Sequence, residues 1–425
     1  MAETSNVQGH FLEGKTIIVA GGGIAGSAFV VALRKLWDLA WKPPTIHIYD
    51  RDSLKITAQR ETYTLSLAGH ATSGGLLALR NLGLLDQILD KAVSGLDGNG
   101  AFKIWDADWK EQMSFRHKPV EGLPASSIRI ARKDVRKVLH DGFGPDDAVQ
   151  WGTKCVSARR LDDGRVRVQV VRGPPDNEMI TEEDCDLLIA ADGASSKLRS
   201  SLRPDDELEF AGAILRGGVS RFEGAPPKPL DQDWGFMLSG TGVSCFFSPV
   251  DEHSLVWGVG HLEDAQEPRL DLNDAEQVQR VIDRGLELGS EFRGPFKSIV
   301  EHTDPKTVLC VNAKDKKPFS HSMIGELPVL FIGDANHAVT PFAGFGANLA
   351  LADAWDCAQQ LCKGASLDAA VSSYDKLAVP RAMKILKASR ARLRSGHSTG
   401  LQYWVFWLMM VVGKWVGWVL GRKVT

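Results

Sequence analysis

Three glycines near the start of the chain have the spacing of a phosphate-binding loop. Gly21, Gly23 and Gly26, with Ala25 among them, form a GxGxxG pattern between an apolar run at 15–20 and a predicted helix. The first glycine permits a tight turn, the second lets a pyrophosphate approach the backbone, and the third lets the helix pack on the sheet. The free N–H groups and the positive end of the helix dipole suit phosphates.

An acidic residue follows where a dinucleotide site uses one. Asp50 ends the second predicted strand, 24 residues after Gly26. An acid here accepts hydrogen bonds from ribose hydroxyl groups. Arg51 and Arg60 come next, and either could meet adenosine or an NADPH phosphate because the arginine fork matches phosphate geometry. These residues predict dinucleotide binding and leave NAD and FAD open; a tight turn with a surface Asp is the structural alternative.

Two distal segments indicate FAD rather than NAD as the bound dinucleotide. They are DLLIAADGASSKLR at 186–199 and GDANHAVTPFAGFGAN at 333–348. Together with the glycine pattern they resemble the three signatures of the single-component FAD-dependent monooxygenases of the aromatic-hydroxylase family. The resemblance spans residues 13–375, and PFAG at 341–344 with two shorter pieces looks closest to the tetracycline-inactivating branch.

The resemblance implies cofactor contacts in the second segment. The region of Asp334 would hold the ribityl chain and pyrophosphate of FAD. The turn after it would open a helix whose N–H groups point at the N1–C2=O edge of the flavin, where a helix N-terminus stabilises the anionic reduced ring. The residues of this turn are Gly344, Gly346, Ala347 and Asn348. Family members often carry Gln where this chain has Phe345, so a polar side-chain contact is lost there.

The same resemblance assigns three further positions. Asp192 and Gly193 resemble the DG motif linked to FAD and NADPH binding, with a helix N-cap as the structural alternative for Asp192. Arg132 lies just before a predicted helix, where the family places an arginine near the flavin phosphates, and Arg129 is the second choice. His337 is interpreted as a structural hydrogen-bonding residue.

The resemblance also implies a reaction. NADPH or NADH would reduce FAD, O2 would add at the flavin C4a carbon, and the hydroperoxide would transfer one oxygen atom to a small aromatic or polycyclic, secondary-metabolite-like substrate. Such chemistry requires no dedicated catalytic side chain. The alternatives are a reductase or halogenase on the same scaffold, or a flavin-binding protein without activity; the WxWxIP motif of halogenases is absent. Hydroxylation, epoxidation and Baeyer–Villiger outcomes stay open.

The elements that must position these residues indicate an α/β fold. A β-α-β unit in the first fifty residues and buried strands near 186–190 and 329–332 predict a Rossmann-like FAD-binding domain. Alternating strands over 203–318 predict an inserted, mostly antiparallel substrate domain. The predicted bounds are 13–88, 125–202 and 319–375 for the FAD-binding domain, 89–124 and 203–318 for the substrate domain, and 376–425 for a basic helix and apolar tail.

The substrate is expected between the antiparallel sheet and the flavin. Aromatic residues from this sheet and from the PFAG turn are the candidate lining, with plain core packing as the alternative for each. They are Trp234, Phe236, Phe246, Trp257 and Phe342.

The composition limits the class of protein and the cellular compartment that we expect. The 425 residues are 44% hydrophobic and 24% charged, which is a globular mix and excludes disordered, fibrous and multi-span membrane chains. The six cysteines show no CxxC pair or zinc spacing, and the polar N-terminus lacks a signal-peptide core. A cytoplasmic protein with reduced thiols, no metal and no nucleic-acid partner is expected.

The C-terminal end differs from the rest in charge. Residues 376–425 carry ten Lys or Arg and no Asp or Glu, whereas the remainder carries 40 basic and 53 acidic residues. The stretch 403–420 has one charge, Lys414, and helical spacing predicts a Trp-rich face. Three alternatives follow: a membrane tail anchor, an interfacial helix, or a helix packed on the substrate domain. The predicted face is Trp404, Trp407, Val411, Trp415 and Trp418.

Overall fold

The computed structural model describes residues 9–53, 63–96, 98–115, 117–174 and 177–419, apart from the side chains of 343 and 413–419. The described strands are β1 (Thr16–Ala20), β2 (Thr45–Asp50), β3 (Thr64–Ala68), β4 (Ala92–Ser94), β5 (Phe102–Trp105), β6 (Glu111–Phe115), β7 (Ser127–Ala131), β8 (Val149–Trp151), β9 (Thr153–Arg160), β10 (Val166–Arg172), β11 (Met179–Cys185), β12 (Leu187–Ala190), β13 (Glu209–Arg221), β14 (Trp234–Leu238), β15 (Val243–Asp251), β16 (Ser254–Leu262), β17 (Leu309–Asp315) and β18 (Val329–Phe331). The described helices are α1 (Ile24–Leu36), α2 (Gly75–Leu82), α3 (Leu85–Leu89), α4 (Arg132–Asp141), α5 (Lys197–Leu202), α6 (Ala275–Leu288), α7 (Phe296–Glu301), α8 (Asp334–His337), α9 (Gly346–Lys363), α10 (Leu367–Gly396) and α11 (Gly400–Val419).

A parallel sheet of strand order β18-β12-β1-β2-β8 lies at the centre of the Rossmann-like part. In its middle strand, β1, Val19 pairs with Ile48 on one side and Ile189 on the other. Helices α1 and α9 cover one face of the sheet with a shared apolar core. The antiparallel sheet β9-β10-β11 covers the other face through Val166 and Val168. Because both faces are covered, the central strands are continuous apolar runs.

A second, seven-stranded sheet has the order β17-β13-β16-β15-β14-β5-β6. Its neighbours are antiparallel except for β14 and β5, which run parallel. Helices α6 and α7 pack on this sheet around a core that includes Trp257, Phe247 and Phe296. Strands β5 and β6 come from residues 102–115 and the others from 209–315, so two separate stretches of chain build one sheet.

A small sheet, β3-β7-β4, joins the two larger parts. The side chain of Thr64 in β3 contacts that of Ser248 in β15, with 3.1 Å between the oxygens. The backbone of Ala68, also in β3, donates to Asn348 at the start of α9. The predicted fold class, a Rossmann-like domain with an inserted antiparallel sheet and C-terminal helices, is confirmed. The predicted domain bounds stay a prediction.

The chain ends its described part in two helices. Arg390 of α10 donates to Asp315 (3.0 Å) and to Glu209 (2.8 Å), which fastens the helix to the seven-stranded sheet. Among the described residues, no helix has both the length and the apolar character needed to cross a membrane. The first two members of the predicted Trp face of α11, Trp404 and Trp407, are neighbours on the helix, with 6.0 Å between their ring centres. Trp404 is 61% exposed, whereas Trp407 turns inward and its indole N–H donates to Gln112.

Candidate functional site

The glycine loop between β1 and α1 has the geometry that its spacing predicts. Gly21 has φ +111°, and a Cβ there would collide with the Ala191 carbonyl oxygen. A Cβ on Gly26 would collide with the Gly21 carbonyl oxygen, so this glycine lets the helix pack closely on the strand. Gly23 has no protein atom within 4 Å of its Cβ position. The loop therefore leaves an open cradle beside Gly23, at the helix N-terminus.

Asp50 stabilises this loop. Its Oδ2 accepts from the Gly22 N–H (3.0 Å) and its Oδ1 from the Asp52 N–H (2.9 Å), and burial raises the pKa of the carboxyl group. Each oxygen keeps a further lone pair for a ribose hydroxyl. The exposed Arg51 does not line the cavity described below, and Arg60 lies outside the described residues.

A second stretch of backbone with open space beside it lies at the start of α9. Gly344 has φ +64°, and neither Gly344 nor Gly346 has a protein atom within 4 Å of its Cβ position. The N–H of Leu349 donates to the Phe345 carbonyl oxygen (2.9 Å), so the N–H groups before it precede the helical ladder. These N–H groups include those of Ala347 and Asn348. They suit the electron-rich edge of a planar ligand.

The side chain of Asn348 holds this turn in place. Its Oδ1 accepts from the N–H groups of Ala68 and Gly75, both at 2.8 Å. Its Nδ2 donates to the carbonyl oxygens of Ser66 (2.8 Å) and Gly344 (3.3 Å). All its side-chain hydrogen-bonding capacity is therefore used by the protein, and only the backbone N–H of Asn348 can serve a cofactor.

The Asp334 turn rests on a buried charge network. Asp353 in α9 accepts from the Gly333 N–H (3.0 Å), from the imidazole of His337 and from Arg381 (2.9 Å). Burial opposes protonation of His337, but the charge and hydrogen bond of Asp353 outweigh it and hold the pKa of His337 above its ordinary value. Burial raises the pKa of Asp334. The network gives His337 a structural role beneath a carboxylate that faces the cavity.

The DG motif divides its roles between its two residues. Ser196 is the N-cap of α5 and accepts from the Arg199 N–H (2.9 Å), while the Oδ2 of Asp192 accepts from the N–H of Lys197, the first residue of the helix (2.9 Å). Burial raises the pKa of Asp192. Gly193, with φ +81° and open space at its Cβ position, lines the cavity instead. The structure therefore places Gly193, not the Asp192 side chain, in the wall of the cavity.

The two arginines proposed from the sequence both reach the cavity. Arg132 lines it at the start of α4, and its charge acts to lower the pKa of Asp334 against the effect of burial. Arg129 is buried; it donates to Ser248 and Ser66 (both 2.7 Å) and lies 5.4 Å from the centre of the Phe246 ring. Burial lowers the pKa of Arg129 to about 9.

One cavity of about 1230 Å³ connects these parts. Of the predicted cofactor-binding residues, those that line it are Gly23, Ala25, Arg132, Gly193, Asp334, Gly344, Gly346, Ala347 and Asn348. Four glycines among them face open space, and two helix N-termini meet there. A dinucleotide whose pyrophosphate lies at one helix N-terminus and whose ring lies at the other fits this cradle.

The opposite wall is aromatic. All five aromatic residues named from the sequence line this cavity, and their contact with a substrate stays a prediction. Phe236 contacts Phe246 with 5.1 Å between ring centres and Phe102 with 6.0 Å. Trp257 also belongs to the core, where its indole donates to Thr303 (2.9 Å).

Sequence reasoning missed a pair of histidines in the cavity wall. His70 and His117 stack with 4.5 Å between ring centres, and His70 contacts the Ser126 carbonyl oxygen at 3.0 Å. Burial, then the charges of His70 and Arg392, lower the pKa of His117. The two histidines are far apart in sequence, and no motif signals their meeting.

Comparison with known proteins finds an FAD-binding family and monooxygenase relatives. A family model described as "FAD binding domain" matches residues 311–389. The chain is 40% identical over 394 residues to the monooxygenase cfoF of Aspergillus candidus, covering 92% of this chain and 94% of that one. It is 27% identical over 379 residues to the aurachin C monooxygenase/isomerase of Stigmatella aurantiaca, covering 88% of each.

Two solved structures share the fold. HpxO of Klebsiella pneumoniae, complexed with FAD and uric acid, superposes with a TM-score of 0.73 at 19% identity over 97% of both chains. The tetracycline destructase Tet(51) has a TM-score of 0.64 at 18% identity, covering 97% of this chain and 98% of that one. The chain belongs to the single-component FAD-dependent monooxygenases of the aromatic-hydroxylase family, and its cofactor is FAD.

Proposed function

We propose that this monooxygenase uses NADPH or NADH to reduce its FAD and inserts one atom of O2 into a small aromatic or polycyclic substrate. The observation that carries the proposal is the single cavity of about 1230 Å³, with an FAD cradle on one side and an aromatic wall on the other. A ligand against that wall would lie next to the flavin. Enclosure by both parts would keep water from the reacting atoms.

Different residues of the cradle would bind different parts of the cofactor. The loop at Gly23 and the N-terminus of α1 would receive the pyrophosphate, and Asp50 the ribose. Arg132 would face the phosphates, and Asp334 the ribityl chain. The N–H groups at Gly346 and Ala347 would meet the N1–C2=O edge of the ring. When bound, FAD supplies the electron transfer and the activation of O2.

The wall supports an aromatic substrate with a polar substituent. The rings of Phe102, Phe236 and Phe246 form a continuous apolar surface, and aromatic pairs gain beyond their buried area. Arg129 and the His70–His117 pair add a few polar groups that would fix orientation, as in most small-molecule sites. HpxO, whose structure holds uric acid, shares the fold.

The proposal is tested with the FAD-loaded full chain and a panel of aromatic and polycyclic compounds. Oxidation of NADPH and of NADH is followed with and without each compound. The molecular masses of the products are measured by mass spectrometry after reaction under ¹⁸O2. We expect one reductant to be consumed faster with an accepted compound, whose product contains one ¹⁸O atom. Flavin reduction with no labelled product would favour a reductase, and no flavin reduction would favour a binding protein without activity.

A further inference from the structure

Helix α11 is apolar on both sides. Its inner side packs on the protein: Phe406 lines the cavity, the Trp407 indole donates to Gln112 (3.1 Å), and Met410 is 8% exposed. Its outer side consists of large apolar side chains that are 49–79% exposed. This outer face is Leu401, Trp404, Val405, Leu408, Met409 and Val412.

The spacing of the outer face is that of a buried stripe. Its members recur every three or four residues, which is the pattern by which a helix covers an apolar partner. A helix that is apolar all round is ordinarily enclosed on all sides. Elsewhere on the described surface, large exposed apolar residues such as Leu39 and Leu272 are not part of such a stripe. A contiguous apolar face of this kind marks an interaction surface.

The charge of the segment that contains α11 indicates the class of partner. Residues 376–425 carry ten basic and no acidic residues. Lys376, Lys384, Lys387 and Arg394 on α10 are exposed, and at 3.6 residues per turn they fall within about 80° of one side of that helix. Arg381 and Arg390 of α10 form ion pairs with acidic residues of α9 and of the seven-stranded sheet, whereas the structure shows no ion pair of these four with a described residue.

We propose that the outer face lies in the headgroup region of a membrane that contains anionic lipids. Trp404 and the aliphatic side chains would enter the apolar boundary, while the basic residues meet lipid phosphates and carboxylates. The contact is peripheral, because the inner side of α11 is already occupied by the protein. A second copy of the chain fits the face less well, since it would bring an equally basic tail against the first.

The position of α11 gives this contact a consequence for the substrate, which rests on the proposed function. Phe406 of α11 and Arg392 of α10 both line the cavity. The helix that would touch lipid on one side is therefore part of the cavity wall on the other. An apolar substrate dissolved in the membrane would reach the cavity along this helix.

The test is flotation of the FAD-loaded full chain with vesicles of phosphatidylcholine, alone or mixed with phosphatidylserine. The outer-face variant is W404S/L408S/M409S. The matched control is L39S/L272S/M323S, which removes three exposed apolar residues elsewhere. The charge variant is K384E/K387E. Circular dichroism and flavin absorbance check that each variant is folded and loaded.

We expect the wild type and the control to float with the mixed vesicles, and binding by the outer-face variant to fall by at least about tenfold. The charge variant should lose the preference for phosphatidylserine, as should the wild type in high salt. A wild type that floats with neither vesicle, or an outer-face variant that floats like the control, overturns the proposal. So does a wild-type dimer that the outer-face variant dissociates, since a second copy would then cover the face. None of these readouts depends on turnover, so the membrane proposal can fail without the proposed function.

Discussion

The two sides of the cavity differ in the atoms that form them: backbone atoms on one side and side-chain atoms on the other. The cofactor cradle is mainly backbone: glycines at Gly23, Gly193 and Gly346 leave space, and helix N-termini supply N–H groups. The substrate wall is side chain, with rings such as Phe102 and Phe236 brought together from strands far apart in sequence. Atoms added at these glycines would occupy the space left for a ligand without meeting the protein. A wall of side chains can change its ligand by substitution while the cradle stays as it is.

The largest effect is expected beneath the cradle, at Asp353. Changing Asp353 to Ala leaves His337 and Arg381 without their shared buried partner and frees the Gly333 N–H. Removing one member of a buried ion pair costs about 3–5 kcal/mol, so the free energy of unfolding should fall by about that amount. Urea denaturation of the apoprotein measures it.

The matched control is Asp141→Ala. Asp141 pairs with Lys137 at 2.7 Å, but both side chains are more than 60% exposed (68% for Lys137, 62% for Asp141). Exposed pairs contribute at most about 0.5 kcal/mol in a helix. Equal losses for the two variants would show that the network does not support the cradle.

The next effect separates cofactor binding from stability. A leucine at Gly23 meets no protein atom within 4 Å of its Cβ but fills the space assigned to the pyrophosphate. We expect the Kd for FAD to rise by at least about a hundredfold, about 2.8 kcal/mol, while the urea midpoint of the apoprotein changes little. Gly224→Leu, which also faces open space, is the control, and FAD titration by flavin fluorescence is the measurement. Unchanged FAD affinity in Gly23→Leu would show that the pyrophosphate does not bind at this loop.

The difference between cradle and wall also explains how far sequence reasoning reaches. The glycine loop could be predicted because its glycines act within one turn: a Cβ at Gly21 or Gly26 would collide with the backbone, so these two positions require glycine. The role of Gly23 toward the cofactor stays a prediction. The role of Asn348 could be predicted only in part, because its side chain binds Ala68 and Gly75, which no local pattern connects to it.

The wall is harder to predict than the cradle, because the register of the strands decides which side chains meet there. Aromatic residues in β14 and β15 were predicted to line the site, but the pairing of β14 with β5, which adds Phe102, follows from no local signal. His70 and His117 meet for the same reason. In α11, Trp404 and Trp407 are neighbours as the helical period predicts, but the hydrogen bond of Trp407 to Gln112 in β6 follows from no local signal.

A smaller effect is expected in the wall. Phe236→Ala removes a ring that contacts Phe246 and Phe102, and such contacts contribute about 0.5–1.5 kcal/mol beyond burial. For an accepted aromatic compound, KM should rise by roughly tenfold, while the Kd for FAD changes by less than about twofold. Steady-state kinetics and FAD titration check the two values. A loss of FAD affinity as large as that of Gly23→Leu would erase the distinction between wall and cradle.

The smallest effect is a pH dependence of opposite sign on the two sides. The pKa of His337, beneath the cradle, is raised by Asp353 against the effect of burial. Its stabilising contribution is therefore complete below the unfolded value of about 6.5 and is lost as pH rises through the higher folded value. The pKa of His117, in the wall, is lowered by burial and by nearby positive charge. Protonation of His117 is disfavoured in the folded state, so its effect on stability worsens as pH falls below about 6.5.

These signs are read from urea denaturation of wild type, His337→Gln and His117→Gln between pH 5 and 8. The advantage of wild type over His337→Gln should shrink as pH rises, whereas that over His117→Gln should grow. Solvent at the cavity mouth screens His117, so its slope should be the shallower of the two. Slopes of the same sign would mean that the charge of Asp353 does not govern His337, and the cradle would then lose the electrostatic support that distinguishes it from the wall.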